Sequence, residues 1–178
     1  MQKTEVIKKT ENWIQSFIID LSICPFAKRE VERKTLRIEV SSSKKNNRAL
    51  IDLYNEFLLL NKNPAIETTL LIFPYFLDDF HDYLDFLQMA ENLIHKEKLE
   101  GIYQLASFHP QYCFADNNED SLSNYTNRSP YPMLHLLREE SVEKAIAYYG
   151  DTTQIPESNI RNLQELGLKG IKKILASC

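Results

Sequence analysis

Three apolar runs, separated by two stretches of helical periodicity, constrain this chain more than any other feature. Leu36-Arg37-Ile38-Glu39-Val40 alternates apolar and polar residues, the pattern of a strand with one wet face. Thr68-Thr69-Leu70-Leu71-Ile72-Phe73 is nearly continuous, as a strand covered on both faces should be. Ile102-Tyr103-Gln104-Leu105-Ala106-Ser107-Phe108 is intermediate. The first intervening stretch begins after Ser41-Ser42-Ser43, any of which can cap a helix, and carries Leu50, Leu53, Tyr54, Phe57 and Leu58. It stops at Asn61-Lys62-Asn63-Pro64. The second begins at Asp78-Asp79, carries Phe80, Tyr83, Leu84, Leu87, Leu93 and Ile94, and is predicted to end with Gly101 as its C′ residue. The order β-α-β-α-β follows, with crossovers long enough for parallel pairing.

Flanking segments complete the plan. Val6, Trp13, Ile14, Phe17, Ile18 and Leu21 recur at helical spacing up to Pro25, which stops the helix; Trp13 reads as a core anchor. Residues 115–129 form a long polar loop with hardly an apolar side chain. Met133 to Tyr149 is predicted helical, with an interruption near Glu139-Glu140-Ser141 and an end at Gly150. A last helix starts near Pro156 and buries Ile160, Leu163, Leu166, Ile171 and Ile174, with Gly167 and Gly170 breaking or bending it. The expectation is one domain, 1–178, of class α/β. It has a short, mostly parallel sheet in two or three layers, an N-terminal helix and C-terminal helices.

Composition removes several function classes. A net charge of −4 opposes binding driven by phosphate neutralisation, so no nucleic-acid partner is expected. Four dispersed glycines allow neither G-x-G-x-x-G nor a P-loop, so no nucleotide cofactor is implied. Three scattered cysteines, Cys24, Cys113 and Cys178, without C-x-x-C, suit reduced thiols in a cytoplasm. Glu11, Asn12 and Asp20 interrupt any leader-like apolar core, and no apolar run is long enough to span a membrane.

Ligands of open parallel sheets bind beyond the carboxyl ends of the strands. His109 stands there, directly after the third run and before Pro110, where the polar loop begins. It either exchanges protons near neutral pH or hydrogen-bonds the loop and locks it. His135, Arg138 and Glu139 would share a face of the predicted helix at i, i+3 and i+4. Glu139 then orients the imidazole or makes a surface ion pair, while Arg138 holds an anion. Asn124, Asn127, Arg128 and Ser129 concentrate donors in a turn-forming stretch; they recognise an anion or polar ligand, or satisfy one another. Cys24 follows a helix C-terminus, which does not favour a thiolate, so it reads as a small buried hydrophobe. It becomes a candidate nucleophile only if folding brings it beside a histidine. His109, Cys113, Asp116 and Asp120 lack a recognised metal spacing, so no metal is expected.

Three motifs occur in order: Leu21-Ser22-Ile23-Cys24-Pro25-Phe26-Ala27, Phe108-His109-Pro110-Gln111-Tyr112-Cys113-Phe114, and the long run Thr126-Asn127-Arg128-Ser129-Pro130-Tyr131-Pro132-Met133-Leu134-His135-Leu136-Leu137-Arg138-Glu139. They resemble the signatures of a mainly bacterial family named domain of unknown function 1415. The resemblance implies a stand-alone bacterial protein and carries over no activity, cofactor or assigned residue.

Together these readings describe a small cytoplasmic α/β enzyme acting on a small anionic metabolite. His109 is the acid/base and His135 a second proton carrier or orienter. Arg128 and Arg138 hold the anion, and Asn124 and Asn127 orient it. The rival is a non-catalytic ligand- or protein-binding regulatory module. Convergence of His109, His135 and Arg128 on one pocket would favour the enzyme.

Overall fold

The structure, a computed structural model, describes residues 2–178. Helix α1, Lys3–Trp13, passes without a break into a π-helical stretch, Ile14–Ile19. Val6, Trp13, Ile14, Phe17 and Ile18 form its buried stripe. The chain leaves the helix before Pro25, through Ser22 at φ 56, and makes a short helix α2, Ala27–Glu32.

Strands β1, Leu36–Val40, and β2, Thr68–Ile72, coincide with the first two apolar runs, and β3 spans Tyr103–Phe108. Helix α3, Asn46–Lys62, joins β1 to β2, and α4, Phe80–Lys96, follows β2. Asp79 caps α4, its carboxylate accepting from the backbone N–H groups of His81 and Asp82 at 2.8 and 3.2 Å. The serine triplet does not cap α3, whose N-cap is Lys45. Ser41 and Ser43 instead both donate to Asp52 Oδ2 at 2.6 Å, which ties the end of β1 to α3. Gly101 is not the C′ residue of α4 either. The helix has already ended at Lys96, and Gly101, at φ 75, turns the chain into β3.

The largest departure concerns Met133–Arg138. This segment, predicted helical, is strand β4, and helix α5, Glu139–Tyr149, begins where the interruption was expected. Strand order is β1-β2-β4-β3. β1 and β2 are parallel, while β4 runs antiparallel to both β2 and β3. The three strands read from the sequence therefore share one direction, and a fourth is inserted between the second and third. Backbone pairing along both edges of β4 outweighs the modest helix preference of Met-Leu-His-Leu-Leu-Arg.

The result has three layers. One face of the sheet packs on α3 and α4 through Leu53, Phe57, Leu71, Phe73, Phe86 and Leu134. The other packs on α1, the π-helical stretch and the last helix, α6, Ile155–Ala176, through Trp13, Phe17, Ile72, Met133, Leu163 and Ile171. Gly167 breaks α6 with φ 67 and ψ 161, a combination that only glycine adopts readily. Leu84 and Ile160 remain exposed; Phe86 and Ala90 take the buried stripe of α4.

Candidate ligand-binding site

His109 directly follows β3, but its imidazole is fully buried. Nε2 donates to the Leu77 carbonyl at 2.8 Å, and Nδ1 accepts from the Gln111 N–H at 3.0 Å. A carbonyl can only accept and an amide N–H can only donate, so these bonds fix one neutral tautomer. The ring packs against Phe80 and Tyr83, centroids 5.2 and 5.0 Å away. Burial pushes its pKa below the ordinary histidine value, against a smaller upward pull from the Leu77 carbonyl and from Asp78 and Asp79. With both nitrogens committed to backbone, this is the loop-locking arrangement.

The polar loop is likewise satisfied from within. Asn124 is buried; its Oδ1 accepts from Phe114 N and Asn117 Nδ2, and its Nδ2 donates to the Asn118 carbonyl at 2.8 Å. Asn127 donates to the Ser107 carbonyl, and Ser129 to that of Tyr131. Arg128 donates to the Tyr112 and Glu119 carbonyls at 3.1 and 2.8 Å and lies 4.3 Å over the Tyr125 ring.

Arg138 is held elsewhere. It donates to Tyr103 Oη at 3.1 Å and to the Leu60 and Ile66 carbonyls at 2.6 and 3.1 Å, sealing the end of α3. The expected two-arginine clamp is therefore not assembled. The shared helical face of His135, Arg138 and Glu139 does not form either, because residues three apart on a strand point to opposite faces. Glu139 opens α5, with its N–H on the Ile102 carbonyl.

A cavity of about 670 Å³ lies over the second face of the sheet. Its floor is built from Leu36, Leu70, Ala106, Phe108, His135 and Leu137. These side chains share a face because each strand alternates. Trp13, Ile14 and Ile18 form one wall, placed by the junction of α1 and the π-helical stretch. A π-helical insertion of this kind commonly marks a functional site. Val142 and Ala145 of α5 and Pro156 and Ile160 of α6 complete the walls, and Cys24 joins them. The lining is overwhelmingly carbon, within the size range of small-molecule sites. Neither His109 nor Arg128 belongs to it. Three predicted site residues, Cys24, Asn127 and His135, do line it, as does Arg138 with its guanidinium engaged by backbone.

His135 supplies the cavity's distinctive chemistry. Its Nε2 lies 2.7 Å from Thr68 Oγ1, and that hydroxyl donates to the Leu136 carbonyl at 2.6 Å. The threonine's one hydrogen is thereby used, so Nε2 carries the proton and Thr68 accepts it. Nδ1 is left with a lone pair and no hydrogen-bond partner among the described residues. Burial pushes the pKa down to about 4, so the ring is neutral at physiological pH. Burial also raises the Cys24 thiol, against a partial offset from the Phe26 and Ala27 amides, which keeps it protonated. Near Thr68, the Oε1 atom of Glu67 is buried without a hydrogen-bond partner.

Sequence reasoning missed Glu67, Thr68, Leu137 and the α5 contribution. The available signal was Met133–Leu137 itself, a short apolar run bounded by Pro132 and two glutamates, consistent with a buried strand. No group of three or more His, Cys, Asp or Glu side chains among the described residues could hold a metal ion. Cys113 instead contacts the Asn117 carbonyl and accepts from Asn124. No described helix is long and apolar enough to cross a membrane.

No curated protein and no solved structure matches this chain. The model of the family described as Protein of unknown function (DUF1415) matches residues 5–173, nearly the whole length. The motifs that carry the resemblance contribute Cys24, Phe108, Asn127 and His135 to the cavity, and the chain belongs to the DUF1415 family.

Proposed function

We propose that this chain is a small-molecule-binding domain whose ligand is largely apolar, occupies the cavity over the second face of the sheet, and places a hydrogen-bond donor on Nδ1 of His135. The carrying observation is a hydrocarbon-walled cavity of about 670 Å³ with an unpartnered imidazole nitrogen in its floor. Each methylene moved from water into such surroundings contributes about 0.8 kcal/mol. A polar atom without a protein partner in the lining of such a cavity rewards a ligand that supplies one.

Binding is favoured over catalysis. A nitrogen whose conjugate acid has a pKa of about 4 is a weak general base at neutral pH, and the Cys24 thiol beside the same cavity is protonated. His109, His135 and Arg128 do not converge on one pocket, which favours a binding module over the enzyme. Three unpaired cysteines support a reducing, cytoplasmic setting.

Trp13, the single tryptophan, lines the cavity and reports on it directly. Titration with 1-octanol should produce a saturable change in its emission. Ala145→Phe, which pushes a ring into the cavity, should abolish it. A linear, non-saturating response in the natural protein would refute the reading.

A further inference from the structure

The polar groups of the cavity are arranged asymmetrically, and the asymmetry selects a ligand class. Thr68 stands between two acceptors that lack protein donors. Glu67 is its sequence neighbour, with Oε1 buried and unpartnered, and His135 Nε2 lies 2.7 Å from its hydroxyl, with Nδ1 left open. A second carboxylate is close by. The Glu67 N–H donates to the Thr35 carbonyl at 2.9 Å, and Thr35 Oγ1 donates to Glu30, which also lines the cavity. Arg29 approaches Glu30 at 3.5 Å but is half exposed, so solvent weakens that pairing. The one cation in the lining, Arg138, donates to Tyr103 and to two backbone carbonyls and makes no ion pair with Glu67. The lining therefore carries two carboxylates and an open imidazole nitrogen, and its one cation is engaged elsewhere.

An unpaired carboxylate oxygen in such surroundings is costly, and a cation carrying N–H groups compensates it best. The geometry points to a lipophilic amine as ligand: an apolar body in the chamber, with a protonated amino group donating to Glu67 Oε1 and His135 Nδ1. This rests on the binding reading above and adds the sign of the head group. It reverses the anionic ligand expected from Arg128 and Arg138. Carboxylate and phosphate head groups would meet Glu67 and Glu30 with like charge.

Three probes of equal chain length test it: octylamine, 1-octanol and octanoate, each below its micellar concentration at pH 7.5. Affinity is read from Trp13 emission and from thermal stabilisation. The expected order is amine, alcohol, carboxylate, with the amine about tenfold tighter than the alcohol. Glu67→Gln should remove the amine's advantage over the alcohol. Octanoate binding as tightly as octylamine, or an amine preference that survives Glu67→Gln, overturns the amine assignment while leaving the apolar site intact. Failure of all three probes overturns the binding reading beneath it. The ranking on the natural protein decides the matter even if the variant folds poorly.

Discussion

Thr68 and His135, side by side on β2 and β4, form a hydrogen bond whose direction is dictated by a third atom, the carbonyl oxygen of Leu136. That bond fixes the Nε2–H tautomer, burial keeps the ring neutral, and Nδ1 is left as an acceptor.

A pH dependence follows. The folded pKa of His135 is about 4, below the ordinary 6.5, so between those values the unfolded chain binds a proton that the folded chain does not. Its contribution to stability is complete above pH 6.5 and is lost as pH falls toward 4, amounting to about 3 kcal/mol. Urea unfolding at pH 7 and pH 4.5 should show this loss. His135→Gln should reduce the slope without abolishing it, because His109 is shifted in the same direction.

His109 should prove structural. Replacing it with Ala leaves the Leu77 carbonyl and Gln111 N–H unpaired and opens a hole beside Phe80 and Tyr83. The expected loss is about 3 kcal/mol of stability. Octanol affinity, measured well below the melting temperature, should stay within a factor of two (roughly 0.4 kcal/mol).

Arg128→Gln and Arg138→Gln should each cost about 1–3 kcal/mol, because each strands backbone carbonyls that its guanidinium now satisfies. Millimolar phosphate should not raise the melting temperature of the natural protein. An arginine-dependent rise would restore the anion clamp.

Filling the cavity should stabilise the fold and exclude the ligand. Ala145→Leu adds hydrocarbon from the α5 side and should contribute about 1 kcal/mol. It should also weaken octanol binding, and calorimetry checks both effects on one sample.

Access should depend on α5. None of its residues is buried, and it meets the residue just before α2 through a ring contact between Phe26 and Tyr149, centroids 5.7 Å apart. Amides of α5 should exchange with deuterium faster than those of α4 and slow when ligand fills the cavity. Equal protection of the two helices in the free protein would refute this.

The sequence made local features legible where periodicity and punctuation agreed. Leu53 and Phe57, Thr68 to Ile72, the start of α4 at Asp79 and the Gly167 break all lie where the pattern puts them. Met133–Arg138 was not legible, because four apolar positions around one histidine carry neither strand alternation nor a β-branched residue. With β4 read as a helix, His135 shared a face with Arg138 and Glu139, while the parallel-sheet reading put the ligand at the carboxyl ends of the strands, beside His109. The cavity instead lies over the face of the sheet, where the pairing of β2 with β4 brings His135 to Thr68, the neighbour of Glu67.

The place of β4 has a consequence for how the molecule is made. The last strand to be synthesised is an inner member of the sheet, so a ribosome that has released everything up to Pro132 has delivered β2 and β3 with a slot between them about 10 Å wide. Both lips of that slot are rows of unsatisfied amides and carbonyls, and the β2 lip carries only side chains destined for burial. Chains stalled or cut at that point are primed to accept a foreign strand, whereas a few residues more close the sheet from within. The same insertion that floors the cavity leaves the nascent sheet most vulnerable just before β4 emerges.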